Sequence, residues 1–182
     1  MNLTAAYGLL AHGLIFGALA ALLPLGALRQ RVVLTATATA LLVGIAPAMH
    51  GLFGTPSATL LQLAILQVAG HSPSPLTKWA AACLLAFALF FYPTALGWGP
   101  FDPYALGYQP APLLAVLLVV GLALGWRRQH TWLAILGIDL LAYASGVFAN
   151  LWDALFDPLL VLLALAIAAR QGVIRLIASR NR

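Results

Sequence analysis

The sequence predicts an all-α fold, a polytopic bundle of seven transmembrane helices, and three observations support this. The chain is 63% hydrophobic and only 7% charged, whereas soluble domains are about 25% charged. Its apolar runs approach the ~20 residues that a membrane span needs. Its basic residues stand at the ends of those runs, which is typical of membrane orientation and not of nucleic-acid binding. We therefore expect one integral membrane domain over residues 1–182, in contact with membrane lipids and not with nucleic acid.

The apolar runs follow one another with short polar or Pro- and Gly-rich connections. Most are close to the length of a span, and the third is much shorter than the others. A Pro, Gly and Tyr-rich loop over residues 99–112 separates the fourth run from the fifth. The runs cover residues 3–28, 32–53, 58–70, 79–98, 113–126, 132–157 and 158–174.

The short run over residues 58–70 leaves two topologies open. As a helix it would rise ~20 Å, which is less than the ~30 Å hydrocarbon core. If it crosses, the chain has seven spans with the N-terminus outside, and all nine Lys and Arg residues lie on the cytoplasmic side. If it is re-entrant, six spans plus a half-helix remain, and Arg29 and Arg31 are stranded outside. The positive-inside rule favours seven spans in a bacterial inner membrane, with the C-terminus cytoplasmic.

Residues 132–157 are interpreted as one helix with a polar face. Spacings of three and four residues place the polar positions on one side of a helix. A carboxylate in mid-membrane must be neutral, paired or hydrated, so this face predicts a polar interior. A neutral Asp139 that is hydrogen-bonded to Tyr143 or to a neighbouring backbone group is the purely structural alternative. The positions are Asp139, Tyr143, Gly146, Asn150, Asp153 and Asp157.

Two histidines share a local pattern, His12-Gly-Leu and His50-Gly-Leu. In the seven-span topology both lie in the outer half of the membrane, on the same side as Asp153. Histidine with aspartate can form a general base, with Ser57 as a possible nucleophile. No sequence motif of a metalloprotease, nucleotide-binding protein or serine hydrolase accompanies them. We therefore expect no cofactor and no metal site.

The stretch from Gly54 to Gln62 begins a short helix rich in hydroxyl groups. Thr55 or Ser57 would cap its N-terminus, and a broken helix in a membrane can also point to a binding pocket. The Asp157-Pro158 pair likewise predicts a helix start, since proline is favoured at the first helical position. His71 and His130 lie beside loops and are interpreted as solvated or as bound to lipid head groups.

Three hypotheses of function follow. The first is a small inner-membrane protein that binds or translocates a lipid-like or small polar ligand through a pocket that opens to the outer, periplasmic side. Its ligand-binding candidates are Asp139, Tyr143, Asn150, Asp153, His50, His12 and Gln62. The second is an intramembrane hydrolase or transferase that acts on a lipid-linked substrate with His50, Asp153 and Ser57. The third is a structural or assembly subunit with a protein partner, because many Gly and Ala residues permit close helix packing.

Overall fold

The computed structural model describes residues 3–23, 25–70 and 74–180, with side chains up to residue 170. The chain is 77% helix, and the described residues contain no strand. The all-α prediction is therefore confirmed. The predicted solvated histidine at position 71 lies outside the described residues.

The described helices are numbered in chain order. Most are apolar, and two 3-10 turns, Gly26–Leu28 and Tyr104–Gly107, interrupt the connections. The helices are α1 (Leu3–Ala20), α2 (Arg29–Leu42), α3 (Ile45–Phe53), α4 (Ala58–Val68), α5 (Lys78–Ala95), α6 (Ala111–Trp126), α7 (His130–Ala144), α8 (Leu151–Leu155) and α9 (Pro158–Arg180).

Several of these helices could span a membrane. Three stretches are long and apolar enough: α1, α5 and the segment Leu151–Arg170. The bent pair of α2 and α3 would make a fourth, while α4, α6 and α7 are apolar but shorter. The chain is thus consistent with an integral membrane protein. Helix length does not confirm all seven spans.

The second predicted span is not one straight helix. The segments before and after Val43 and Gly44 are bent by 69° relative to each other. Gly44 has a left-handed backbone with φ of 86°, a conformation that glycine adopts without steric cost and that ends a helix. The apolar run over residues 32–53 is continuous in sequence, so hydropathy alone could not predict the bend.

The interpretation of residues 132–157 as one helix with a polar face is wrong. Helix α7 ends at Ala144, and Gly146 then takes a left-handed φ of 79°. Asn150 caps the separate short helix α8 through a bond from the Trp152 amide to its Oδ1, at 2.9 Å. Asp157 caps α9, accepting from the Leu160 amide at 2.6 Å. Asp139, Asn150 and Asp157 are buried, and local caps and tertiary contacts explain this, whereas a shared helix face does not.

The directions of the helices separate the charges into two ends of the bundle. We call the end that contains Asp102, Asp153 and Asp157 the acidic end. Helix α5 runs towards it from Lys78, and α9 runs away from it towards Arg170. The other end of the bundle contains all the Lys and Arg side chains that the structure describes, and we call it the basic end. These residues are Arg29, Arg31, Lys78, Arg127, Arg128 and Arg170.

Helix α4 runs from the acidic end to the basic end. At its N-terminus the Ser57 amide donates to Asp157 Oδ2 at 2.7 Å. At its C-terminus the Arg29 guanidinium donates to the carbonyl oxygen of Val68, at 3.1 Å, and to that of Gln67. The helix therefore connects the two ends of the bundle, although it has only 11 residues.

Candidate functional site

A pocket of about 420 Å³ opens at the acidic end of the bundle. It lies between the N-terminal turn of α1, the C-terminal turn of α5 and the segment that carries α8. Two carboxylates, Asp153 and Asp157, line it, and no Lys, Arg or His residue does so within the described part of the chain. Its aromatic lining consists of Phe53, Phe91, Tyr92, Tyr104, Phe148, Trp152 and Phe156.

The aromatic wall is held by its own packing. The Trp152 indole donates from Nε1 to the Pro103 carbonyl at 2.8 Å, which fixes α8 to the loop before the second 3-10 turn. The ring centroids of Trp152 and Phe91 lie 4.9 Å apart, and those of Tyr92 and Phe156 lie 5.5 Å apart. Aromatic pairs at these separations attract one another. Contacts within the chain therefore hold the aromatic wall in place.

Asp153 has one hydrogen-bond donor among the described residues. The Tyr104 hydroxyl lies 3.0 and 3.1 Å from its two carboxylate oxygens. Burial, together with the nearby Asp153 carboxylate, raises the pKa of Tyr104 above its usual value. The phenol therefore stays protonated near neutral pH and donates to Asp153, which keeps unused acceptor positions.

Asp157 and Ser57 hold α4 and α9 together. Asp157 accepts from the Ser57 and Leu160 amides, so each of its oxygens has a backbone donor. The Ser57 hydroxyl accepts from the Leu60 amide at 3.2 Å and caps α4, as one of the two expected residues. Ser57 is fully buried and does not line the pocket. The geometry therefore gives it a capping contact, and its role as a nucleophile stays a prediction.

The two histidines meet, but away from the pocket. His12 Nε2 and His50 Nδ1 each lie 3.0 Å from the Gly54 carbonyl oxygen, and their ring centroids are 5.9 Å apart. A carbonyl oxygen only accepts hydrogen bonds, so both nitrogens carry a proton in this arrangement. In the described part of the chain no hydrogen bond or ion pair joins His50 to Asp153. The predicted general-base pair is therefore not assembled.

Asp139 faces inward and binds α4. It is 1% exposed, and its Oδ2 accepts from the Thr59 hydroxyl at 2.6 Å. Its Oδ1 accepts from Gln62 Nε2 at 2.7 Å. The expected partner Tyr143 instead packs beside Ala58 and Phe148. Asp139 and Gln62, two predicted ligand-binding residues, are thus together, yet neither lines the pocket, and their ligand role stays a prediction.

Asn150 joins α8 to the second 3-10 turn. Its Nδ2 donates to the Tyr104 carbonyl at 3.1 Å, while its Oδ1 accepts from the Trp152 amide. Gly107 packs directly against it, since a Cβ atom there would lie 1.7 Å from Asn150 Oδ1. Asn150 does not line the pocket. It holds Tyr104 and Trp152, which do.

Sequence reasoning missed the aromatic side of the site. Tyrosine and tryptophan near span ends are by default interface residues, and this default does not predict a pocket at Tyr104 or Trp152. Trp152 directly precedes Asp153 and Phe156 directly precedes Asp157. Phe101 also precedes Asp102, which does not line the pocket, so the pairing of aromatic and acidic residues does not distinguish the site.

Comparison with protein-family models, with curated proteins and with solved structures finds no match.

Proposed function

We propose that this chain is a small inner-membrane protein that binds a lipid-like or small polar ligand in the pocket at its acidic end. The observation that carries this proposal is the lining of the pocket, which combines seven aromatic side chains with two carboxylates. Ligand sites are typically concave and mostly apolar, with few polar groups to orient the ligand. The volume of about 420 Å³ lies within the ~300–1,000 Å³ range of such sites.

The lining supports an amphipathic ligand. Phe91, Trp152 and Phe156 offer apolar ring surface, while Asp153 and Tyr104 place polar atoms at one side. A wholly apolar ligand would leave the Asp153 carboxylate without a new partner, and burying a charge in that way is unfavourable. A ligand with one polar group and an apolar body satisfies both parts of the wall.

The distribution of charge supports an outward-facing pocket. Basic residues favour the cytoplasmic side of a membrane, and the described basic side chains lie at the end away from the pocket. This supports a pocket and an N-terminus on the outer side of the membrane, with the C-terminus inside. The course of α4 between the two ends favours the seven-segment arrangement over the re-entrant alternative. A further hypothesis is that the same pocket translocates its ligand. Uptake of the ligand into proteoliposomes would measure this.

Occupancy of the pocket can be measured through Trp152. A single-tryptophan variant keeps Trp152 and has phenylalanine at the other four tryptophans, of which three are exposed and one is half-buried: Trp79, Trp98, Trp126 and Trp132. Bromine quenches indole fluorescence at short range. We expect para-bromobenzyl alcohol, a neutral amphipathic probe, to quench Trp152 with a saturable dependence on concentration.

A matched pair of substitutions tests where the probe binds. Ala149 is exposed and lines the pocket, so Ala149→Phe should fill its mouth and abolish saturable quenching. Ala105 is exposed in the adjacent 3-10 turn and does not line the pocket, so Ala105→Phe should leave quenching unchanged. Linear, non-saturable quenching that is equal in all three proteins would contradict the proposal.

A further inference from the structure

We propose that the ligand carries an ammonium group, which binds between the Asp153 carboxylate and the aromatic wall of the pocket. This inference rests on the proposed function and names the chemical class of its ligand. A free alkylamine and a lipid head group are two sources of an ammonium group, and both would make the same contacts. Charge balance, ring geometry and hydrogen-bonding capacity each support an ammonium ligand.

Charge balance distinguishes the two carboxylates. Asp157 accepts from two backbone amides and lies at the N-terminus of α9, where the helix dipole favours a negative charge. Asp153 has only the Tyr104 hydroxyl, and no cationic side chain lines the pocket in the described part of the chain. A half-buried carboxylate without a cation is unfavourable. Asp153 is therefore the group that a cationic ligand would stabilise.

The aromatic rings favour the same charge. A cation near the face of Trp, Tyr or Phe is attracted by the negative face of the ring. Trp152 and Tyr104 lie beside Asp153 in the lining, and Phe91 and Phe156 continue the wall. Because Trp152 Nε1 and the Tyr104 hydroxyl already donate to protein oxygens, these two residues offer mainly their rings to a ligand. An anionic ligand would meet two carboxylates and no cation there.

Hydrogen-bonding capacity favours a primary ammonium. A carboxylate has about four acceptor positions, and one hydroxyl proton from Tyr104 occupies part of this capacity at Asp153. A primary ammonium brings three donors and can share them between Asp153 and water at the mouth. In a zwitterionic lipid the phosphate would find no basic partner in the described lining and would remain outside the pocket.

The test compares three probes whose polar groups differ in charge. Para-bromobenzylammonium, para-bromobenzyl alcohol and para-bromobenzoate share one brominated ring, and each is titrated into the Trp152-only protein. We expect the cation to bind about tenfold or more tightly than the neutral alcohol, through carboxylate and ring contacts together. The benzoate should bind most weakly.

A pair of isosteric variants locates the charge effect. Asp153→Asn should reduce the preference for the cation over the alcohol to about twofold or less, because the charge is lost. Its unchanged affinity for the alcohol would demonstrate an intact pocket. Asp102→Asn is the matched control, since Asp102 is an exposed carboxylate in the neighbouring loop that does not line the pocket. The preference of the Asp102→Asn protein for the cation over the alcohol should equal that of the parent protein.

The outcomes separate the two proposals. If no probe quenches saturably, the proposed function fails. If the alcohol binds as tightly as the cation, or if Asp153→Asn keeps the cation preference, the pocket stands and the ammonium inference is overturned. Displacement of the cationic probe by butylammonium points to a free amine, while displacement by phosphatidylethanolamine but not phosphatidylglycerol nanodiscs points to a head group. A cationic probe that neither competitor displaces would also overturn the inference.

Discussion

The contact between Thr59 and Asp139 links α4 to α7, and its strength can be measured by a double-mutant cycle. Thr59→Val removes the hydroxyl that donates to Asp139 Oδ2 at 2.6 Å and conserves the shape of the side chain. Asp139→Ala removes both acceptor oxygens. Gln62 Nε2 then retains the Ala58 and Ile135 carbonyls, each at 3.2 Å, so the Thr59 hydroxyl is the donor that loses its partner.

The expected coupling follows from the burial and the geometry of this pair. Hydrogen bonds between membrane helices average about 0.6 kcal/mol and reach about 1.7 kcal/mol. Because Asp139 is 1% exposed and the Thr59 contact is short, we expect a coupling free energy of about 1.5 kcal/mol, near the upper end of the membrane range.

The cycle is measured by reversible unfolding in mixed dodecylmaltoside and SDS micelles, followed by circular dichroism. Thr94→Val serves as the control, because the Thr94 hydroxyl donates only to carbonyls of its own helix, at 2.8 and 3.0 Å. It should show no coupling to Asp139. If the Thr59 and Asp139 substitutions add within about 0.5 kcal/mol, the contact does not hold these helices together and the reasoning is refuted.

Two further predictions concern contacts at the two ends of the bundle. Gly107→Ala would place a Cβ atom 1.7 Å from Asn150 Oδ1. It should therefore lower the free energy of unfolding by about 1–3 kcal/mol. Gly125→Ala is the control: its Cβ atom meets open space, so it should be neutral or stabilising in the same assay. Arg29→Gln removes two guanidinium bonds to the last carbonyls of α4 and should lower the unfolding free energy by about 1 kcal/mol. Arg31→Gln, at an exposed position, should change it little, and equal effects of the two arginine substitutions would contradict the assigned contact.

Local chemistry explains what the sequence could predict. Ser57 and Asp157 cap helices, as their positions before α4 and before Pro158 indicated, because a cap depends on a few neighbouring residues. The apolar composition likewise predicts helices, since the membrane interior requires backbone hydrogen bonds to be satisfied within the segment. The charge pattern could also be predicted, because it depends only on the order of residues along the chain.

Tertiary contacts explain what the sequence could not predict. Residues 132–157 carry a helical spacing of polar groups, yet the left-handed Gly146 and the cap at Asn150 divide them into separate helices. Glycine is common within membrane helices, so its presence did not indicate a break. The partners of Asp139 lie on α4, about eighty positions away, and no periodicity within one segment can reveal them.

The pocket also depends on tertiary contacts that the sequence could not predict. Tyr104 belongs to the loop after α5, Trp152 to α8 and Phe91 to α5. Their convergence depends on the hydrogen bond from Trp152 to Pro103 and on that from Asn150 to the Tyr104 carbonyl. Sequence reasoning identified Asp153 as a candidate ligand-binding residue, but the aromatic wall beside it required the fold.

The central claim, that the pocket beside Asp153 and Trp152 binds a ligand, is tested most directly by locating a bound probe. Crystals of the protein grown with para-bromobenzylammonium would give anomalous scattering from bromine. We expect the bromine within the aromatic wall, with the ammonium directed to Asp153. Bromine found only in the apolar groove between α6 and α7, which Gly121 and Leu136 help to line, would contradict the claim.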